Sequence, residues 1–220
     1  MLQLPDFSKA FDYENDFYLS CDTHRLGKFI AHYELFRMAQ NLPGAMVECG
    51  VFKGVSFTRF ASFRDLFGSA FSCKLIGFDI FGDFPATQFE EDIQYRERFI
   101  KAAGASSIAV EQLKKVLQHK GIDKNIELIA GDITKTLPEY IEKNPQLKVS
   151  LINLDTDIYE PSVTILEYLY PRLVKGGVLI LDDYGTFPGE TKAVDDYFKG
   201  QNIRIQKFPF AMTPCYIIKE

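Results

Sequence analysis

The chain has 220 residues, a formal net charge of −5, and 46% hydrophobic and 25% charged residues, values ordinary for one soluble globular domain. The negative charge argues against a nucleic-acid binder that works through a basic face. No stretch approaches the roughly 18 apolar residues of a membrane span, and the first residues lack a basic-then-apolar signal. We therefore expect a cytoplasmic protein without membrane contact. Its four scattered cysteines have no metal-binding spacing and are typical of reduced thiols.

Strand-like and helical segments alternate along the chain after an aromatic and acidic N-terminal stretch. Residues 1–22 show no clean periodicity. With the helix predicted up to residue 43, they form an arm that would pack on a partner subunit or cover a site. The patterns predict strands at 45–49, 74–79, 125–132, 149–154 and 178–182, and a terminal pair at 203–208 and 215–219. They predict the later helices at 55–67, 89–103, 107–118, 137–143, 161–177 and 188–198.

This alternation predicts an α/β fold with a doubly wound, mostly parallel sheet and an antiparallel edge formed by the last two strands. We expect a single domain over residues 1–220. Residues 81–105 form an insertion rich in Phe, Glu and Asp, which we expect to be lid-like. The helix that starts near Pro161 is predicted to end at the pair Gly176 and Gly177.

Two of the predicted strands end in pairs of aspartates. Asp155 and Asp157 follow one strand, and Asp182 and Asp183 follow the next. A helix-length segment between the strands lets them lie side by side in parallel, so both acidic ends would face one crevice at the carboxyl edge of the sheet. Four carboxylates there repel one another unless a cation or shared protons neutralise them. Either pair alone is equally typical of turns and caps, and Asp157 could cap the following helix.

A strand-to-helix turn contains Glu48 and two glycines, Gly50 and Gly54. Glycine lets the backbone approach a ligand closely, and the helix that follows offers free N–H groups. A dinucleotide-binding turn has a middle glycine where this chain has Phe52, which would obstruct a pyrophosphate. Since any tight strand–helix junction favours glycine, the turn alone is a weak indication.

Two further aspartates end strands of the same predicted sheet. Asp79 is at the position where α/β nucleoside sites bind ribose hydroxyls, and Asp132 could approach the base of the same nucleoside. For Asp79 the ribose role is the favoured interpretation over a cap or turn, whereas Asp132 is equally typical of a plain turn. His24 and Arg25 could help to hold an acidic acceptor such as a nucleotide-linked sugar.

Four motifs in this order resemble the macrocin O-methyltransferase (TylF) family: Val47–Ser56, Gly77–Pro85, Leu154–Glu160, and Asp182–Tyr184 leading to Lys192–Phe198. The resemblance covers about residues 23–200. It implies a class I methyltransferase (Rossmann-like) fold with seven strands, S-adenosylmethionine as cofactor and a divalent cation, usually Mg²⁺. It also implies a sugar hydroxyl as methyl acceptor and a homodimer or higher homo-oligomer.

The family motifs also imply roles for individual residues. The implied metal ligands are Asp155, Asp182 and Asp183, and the implied general base is Asp157. Glu48 and Gly50 resemble the S-adenosylmethionine turn, to which we add Gly54 and Ser56, and Asp79 resembles the ribose-binding acid. Asp132 is assigned to the cofactor only from its place at the end of a strand. This chain departs from the family by reading Asp-Thr-Asp where many members have Asp-Gly-Asp, and its 86–105 segment matches no family pattern.

The residues themselves also suit methyl transfer to a hydroxyl. A sugar hydroxyl holds its proton far above neutral pH, and two adjacent hydroxyls that chelate Mg²⁺ lose protons more easily. Asp157 could then accept the proton. Three alternatives remain open at this point: a vicinal diphenol acceptor with the same cofactor, an NAD(P)-dependent oxidoreductase, and a non-catalytic nucleoside-binding protein. Phe52 and the missing Tyr-x-x-x-Lys pair argue against the oxidoreductase.

Overall fold

A computed structural model describes residues 2–220, and its centre is one seven-stranded sheet. The strands are β1 Ala45–Cys49, β2 Leu75–Asp79, β3 Ile126–Ala130, β4 Val149–Leu154, β5 Leu173–Leu181, β6 Gln206–Lys207 and β7 Cys215–Ile218. Their spatial order is β3-β2-β1-β4-β5-β7-β6. The first five are parallel, and β7 is antiparallel to both β5 and β6. The predicted doubly wound, mostly parallel sheet with an antiparallel edge is therefore confirmed.

Eight α-helices accompany the sheet in residues 2–220. They are α1 Ala10–Ser20, α2 Thr23–Ala39, α3 Val55–Phe67, α4 Glu90–Ala103, α5 Val110–His119, α6 Ile133–Lys143, α7 Tyr159–Leu169 and α8 Pro188–Tyr197. None of these helices combines the length and the apolar composition that a bilayer crossing requires.

The sheet separates two apolar layers because alternate side chains of each strand point to opposite faces. On one face, Val47 and Ile152 belong to a core that includes residues of α6, α7 and α8. On the other, Met46 and Leu151 belong to a core that includes residues of α2, α3 and α5. Every residue of β1, β2 and β4 is buried. Strands buried on both faces read as continuous apolar runs, which is why the sequence pattern located them.

The helix predicted to run to Gly176 and Gly177 is shorter than expected. It ends at Leu169, followed by a 3₁₀ turn that contains Pro171. A proline ring clashes with the carbonyl four residues earlier and offers no N–H, so the helix cannot continue through it. Residues 173–177, which were predicted to be helical, instead belong to β5, which begins at Leu173. Gly176 lies inside that strand with φ +80°.

The N-terminal stretch contains a helix that its irregular pattern did not indicate. This helix, α1, has no buried residue. Asp22 then caps α2 by accepting a hydrogen bond from the backbone N–H of His24. Because α1 contributes nothing to the core, the apolar periodicity that marks other helices is absent from it.

Candidate active site

The acidic ends of β4 and β5 lie together. The two strands pair in parallel with Leu154 beside Leu181, so the residues that follow them leave the same edge of the sheet. Asp155, Asp157 and Asp183 each offer a carboxylate oxygen, and these oxygens lie within 4.8 Å of one another. We call these three residues and Asp182 the acid cluster.

Asp182 does not belong to the group of oxygens within 4.8 Å of one another. It is 3% exposed, and its Oδ2 accepts a hydrogen bond of 2.5 Å from Lys28 Nζ on α2. Its Oδ1 lies 3.6 Å from His32 Nε2. Burial alone opposes both charges, but the Asp182 carboxylate raises the pKa of Lys28, and Lys28 in turn lowers the pKa of Asp182. Asp182 and Lys28 therefore form a buried ion pair.

The remaining acids hold protons more strongly than free carboxyls do. Burial and then the charge of Asp182 raise the pKa of Asp155, and burial and then the charge of Asp183 raise the pKa of Asp157. A dication between such groups would remove this mutual repulsion. Carboxylate oxygens are the hard ligands that Mg²⁺ prefers, so the donor set fits this ion without any histidine.

Asp157 has an unusual backbone conformation. Its φ is +62°, in the left-handed region that few residues other than glycine adopt. Its carbonyl accepts a hydrogen bond of 3.1 Å from the N–H of Glu190. It does not cap α7, whose N-cap is Ile158 without a side-chain cap bond. Its carboxylate instead lies beside those of Asp155 and Asp183.

The glycine turn after β1 touches the acid cluster directly. Gly50 has φ +94°, and a Cβ at this position would lie 1.6 Å from the carbonyl oxygen of Asp155. Only glycine therefore fits between the two loops. Gly54 also has a positive φ, +81°, and serves as the N-cap of α3.

Glu48 is a buried carboxyl group at the centre of the sheet, 3% exposed. Its Oε1 accepts a hydrogen bond of 2.7 Å from Ser56 Oγ, and burial raises the pKa of Glu48 to about 8. Its Oε2 has no hydrogen-bond partner among residues 2–220, and neither does the side-chain amide of Asn153 on the neighbouring strand. Buried polar atoms without partners indicate a place for ordered water or a polar ligand group.

Asp79 and Asp132 both make the turn or cap hydrogen bonds that their positions at strand ends allow. Asp79 is 6% exposed and accepts backbone hydrogen bonds from Phe52 at 2.9 Å and Phe81 at 2.6 Å. Asp132 caps α6 by accepting a hydrogen bond of 3.0 Å from the N–H of Thr134. Their contact with a cofactor stays a prediction.

Four charged or titratable residues of the site were missed by the sequence patterns: Lys28, His32, Asp92 and Glu190. Lys28 and His32 lie on α2, one turn apart, and face Asp182. Glu190 is fully buried in the first turn of α8, where its Oε1 accepts the N–H of Asp183 at 2.9 Å. An acid in a first helical turn is common on the surface, so nothing local marks Glu190 as buried.

A cavity of about 440 Å³ lies beside Thr186, three residues after Asp183, and none of the four acids forms part of its wall. It lies between Tyr95 of α4 and the start of α8, with Phe187 and Lys192 in its wall. Thr186, also in the wall, donates a hydrogen bond of 3.0 Å to Asp183 Oδ1. Thr186 therefore connects the wall of the cavity to the acid cluster through a hydrogen bond.

Comparison with known proteins gives a consistent picture. The family model described as macrocin-O-methyltransferase (TylF) matches residues 21–212. The chain is 30% identical over 162 residues to the 8-demethyl-8-(2,3-dimethoxy-α-L-rhamnosyl)-tetracenomycin-C 4'-O-methyltransferase of Streptomyces olivaceus. That alignment covers 73% of this chain and 60% of the relative, so the chain spans less than two thirds of the relative's length.

Two solved structures are similar over most of the chain. The crystal structure of CalS11, a calicheamicin methyltransferase, has a TM-score of 0.78 and 26% identity, and the match covers 94% of this chain and 84% of that one. The O-methyltransferase NovP has a TM-score of 0.72 and 20% identity, with 89% and 79% covered. These likenesses confirm the predicted class I methyltransferase fold.

Proposed function

Because this chain belongs to the macrocin O-methyltransferase (TylF) family, we propose that it transfers a methyl group from S-adenosylmethionine to a hydroxyl of a sugar or glycoside. The observation that carries the proposal is the gathering of Asp155, Asp157 and Asp183 within 4.8 Å, beside a glycine turn of the same edge. The curated relative is named for methylating a rhamnosyl group, which supports a sugar acceptor.

The cofactor side of the site is assigned to the turn after β1 and the ends of β2 and β3. S-adenosylmethionine supplies an electrophilic methyl group on a sulfonium. The residues that we assign to holding it are Glu48, Gly50, Gly54, Ser56, Asp79 and Asp132. The best support is Glu48, whose buried Oε2 has no hydrogen-bond partner in the described part of the chain and could accept one from a ligand.

We assign a hard divalent cation, with Mg²⁺ as the favoured ion, to Asp155, Asp182 and Asp183. When bound, the dication favours deprotonation of adjacent hydroxyls and offsets the repulsion of the carboxylates. Asp182 has one oxygen bonded to Lys28, but its Oδ1 has no hydrogen-bond partner within residues 2–220. That oxygen is the one that Asp182 can offer to a cation without breaking its ion pair.

Asp157 is then the acid that accepts the proton of the acceptor hydroxyl. Its carboxylate lies within 4.8 Å of those of Asp155 and Asp183, so a hydroxyl held at these acids would be within its reach. Its left-handed backbone is held by the hydrogen bond from Glu190. A base fixed in this way needs little reorganisation when the hydroxyl arrives, so positioning would supply much of the acceleration.

The acceptor is assigned to the cavity between α4 and α8. Tyr95 and Phe187 offer aromatic surface, while Thr186 and Lys192 offer polar groups. The polar side chains in this wall can hydrogen-bond several hydroxyls, which suits a pyranose better than a flat diphenol. We therefore favour a sugar over a catechol-like acceptor.

The test is a methyl-transfer screen with isotopically labelled S-adenosylmethionine, in Mg²⁺ and in EDTA. The acceptors are a nucleotide-linked deoxysugar, rhamnosyl glycosides and a catechol. We expect transfer to a sugar that depends on Mg²⁺. Transfer to the catechol alone would establish the diphenol alternative. Calorimetric binding of NAD without binding of S-adenosylmethionine would refute the proposed chemistry.

We further propose a cytoplasmic homodimer or higher homo-oligomer. The exposed apolar residues of α1 support it, since Phe11 is 74% and Leu19 is 87% exposed. Light scattering should give an oligomer for the wild-type chain and a smaller particle for a Phe11→Ser, Leu19→Ser variant. A monomeric wild type would contradict the assembly.

A further inference from the structure

Asp92 is a fully buried carboxylate on α4, although its neighbours Glu90 and Glu91 are exposed. Both of its oxygens accept hydrogen bonds from backbone N–H groups. Oδ1 bonds to Gly189 at 2.7 Å and Oδ2 to Tyr159 at 2.9 Å. Charge-assisted bonds of this kind are strong and directional. Asp92 therefore joins the 81–105 insertion to two other elements at one point.

The two N–H groups belong to the first turns of the helices that leave the acid cluster. Tyr159 is the first residue of α7, and Gly189 is the second residue of α8. A Cβ on Gly189 would lie 2.0 Å from Asp92 Oδ2 and 2.4 Å from the nitrogen of Tyr159. Three helices thus meet without spare room, and Asp92 supplies the acceptor that both N-termini need.

The next residue, Glu190, connects this junction to the acids. Its N–H donates to the carbonyl of Asp157 at 3.1 Å, and its Oε1 accepts from the N–H of Asp183 at 2.9 Å. Glu190 is itself 0% exposed. A shift of Gly189 would move Glu190, and with it the backbones of both acid-bearing loops.

We propose that Asp92 is a positioning residue that fixes the separation of Asp157 and Asp183 through Gly189 and Glu190. The insertion is then a built-in part of the site and not only its cover. The inference rests on the proposed function only where it treats the acids as a cation site. The hydrogen-bonded chain from Asp92 to Asp183 stands independently of that function.

A second anchor separates positioning from simple attachment of the insertion. Glu160 on α7 accepts hydrogen bonds from Thr87 Oγ1 at 2.9 Å and from the N–H of Gln88 at 2.7 Å. Glu160 thus holds the same insertion, but it makes no hydrogen bond to Gly189 or Glu190. Glu160→Ala is therefore the matched control for Asp92→Ala.

The experiment compares wild type, Asp92→Ala, Asp92→Asn and Glu160→Ala by amide hydrogen exchange and by binding of Mn²⁺ as a spectroscopic probe. Asp92→Ala should speed exchange at the N–H of Asp183, which Asp92 does not touch, and weaken Mn²⁺ binding by about 10-fold or more. Asp92→Asn keeps one carbonyl acceptor, so its exchange rate and its Mn²⁺ affinity should lie between those of wild type and Asp92→Ala. Glu160→Ala should leave both readouts close to wild type.

Activity gives the remaining readout. Asp92→Asn should lower kcat while leaving the Kd of S-adenosylmethionine unchanged, because the cofactor side of the site is not displaced. Wild-type exchange at Asp183 in the Asp92 variants, or an equal effect of Glu160→Ala, would overturn the inference. If Asp92→Ala does not fold, Asp92→Asn decides. If the wild type binds no Mn²⁺, the proposed cation site fails, and exchange at Asp183 still tests the positioning role.

Discussion

Lys28 Nζ lies 2.5 Å from Asp182 Oδ2 and joins α2 to the end of β5. Asp182 is 3% exposed and the Lys28 side chain 27%, so water screens the pair only weakly. Lys28 thereby brings a positive charge to the acid cluster from a helix that precedes the sheet. It neutralises one of four carboxylates and holds α2 against the site.

Lys28→Met should destabilise the metal-free protein. Removing one partner of a buried pair leaves the other charge uncompensated, and the cost should be about 3 kcal/mol, at the low end of the usual range because Lys28 is partly exposed. Mg²⁺ should restore more stability to the variant than to wild type, since the dication would no longer share Asp182 with an ammonium. Urea denaturation in EDTA and in Mg²⁺ measures both effects.

The control for Lys28 is Lys192→Met, which removes an ion pair with Asp196 on the surface of α8. Surface pairs contribute little to stability, so this variant should unfold like wild type. Equal free energies of unfolding for the Lys28 and Lys192 variants in EDTA would show that the pair of Lys28 and Asp182 does not stabilise the fold.

Asp157→Asn should abolish most turnover and spare cofactor binding. The amide keeps the size of the side chain, and Asn tolerates the left-handed backbone found at this position. It cannot accept the proton, so kcat should fall by about 10²–10⁴-fold. Calorimetry with S-adenosylmethionine and initial rates with a sugar acceptor separate the two quantities. Asp123→Asn, in the loop between α5 and β3, is the control. Wild-type turnover by Asp157→Asn would show that Asp157 is not the base.

The sequence predicted the parts of the molecule whose signals are local. β1 and β4 are short apolar runs with turn residues at their ends, and the aspartates directly follow β4 and β5. Parallel strands bring such ends to one edge, so the gathering of three of the four acids followed from their spacing. The predicted end of α7 was wrong. The prediction placed it at the glycine pair, whereas Pro171 lies earlier in the chain and ends the helix first.

The contacts that organise the site were not predictable in this way. Lys28 meets a partner 154 residues away, and Asp92 meets partners 97 and 67 residues away. In the sequence, Asp92 is one of several acids in a charged segment. Whether such a residue is buried depends on the packing of distant helices, which no local period encodes.

Gly50→Ala should disturb the site far more than its backbone angle alone explains. The new Cβ would lie 1.6 Å from the carbonyl oxygen of Asp155, so one of the two loops must move. Gly121→Ala is a matched control, with φ +68° and nothing within 4 Å of its Cβ. The control should lose about 1–2 kcal/mol from left-handed strain. Gly50→Ala should lose more, measured by urea denaturation, and should bind S-adenosylmethionine weakly; equal losses would exclude the steric contact.

Glu48 should make stability depend on pH between its unfolded and folded pKa values. Burial raises its pKa from an ordinary 4.5 to about 8 in the folded protein. In that interval the folded state binds a proton that the unfolded state releases, so this contribution to stability is complete below about pH 4.5 and is lost as the pH rises through 8. Glu48→Gln, neutral at every pH, should lack this loss and retain the bond from Ser56.

The measurement is the free energy of unfolding of Glu48→Gln minus that of wild type, in EDTA at pH 6, 7.5 and 9. The difference should grow with pH by up to several kcal/mol. Glu127→Gln is the control, because burial opposes its charge but hydrogen bonds from Lys74 and Tyr140 lower the pKa of Glu127 below its ordinary value. Its difference from wild type should therefore stay constant from pH 6 to 9. A pH-independent difference for Glu48→Gln would mean that the carboxyl is ionised in the folded protein, paired with a charge that offsets its burial.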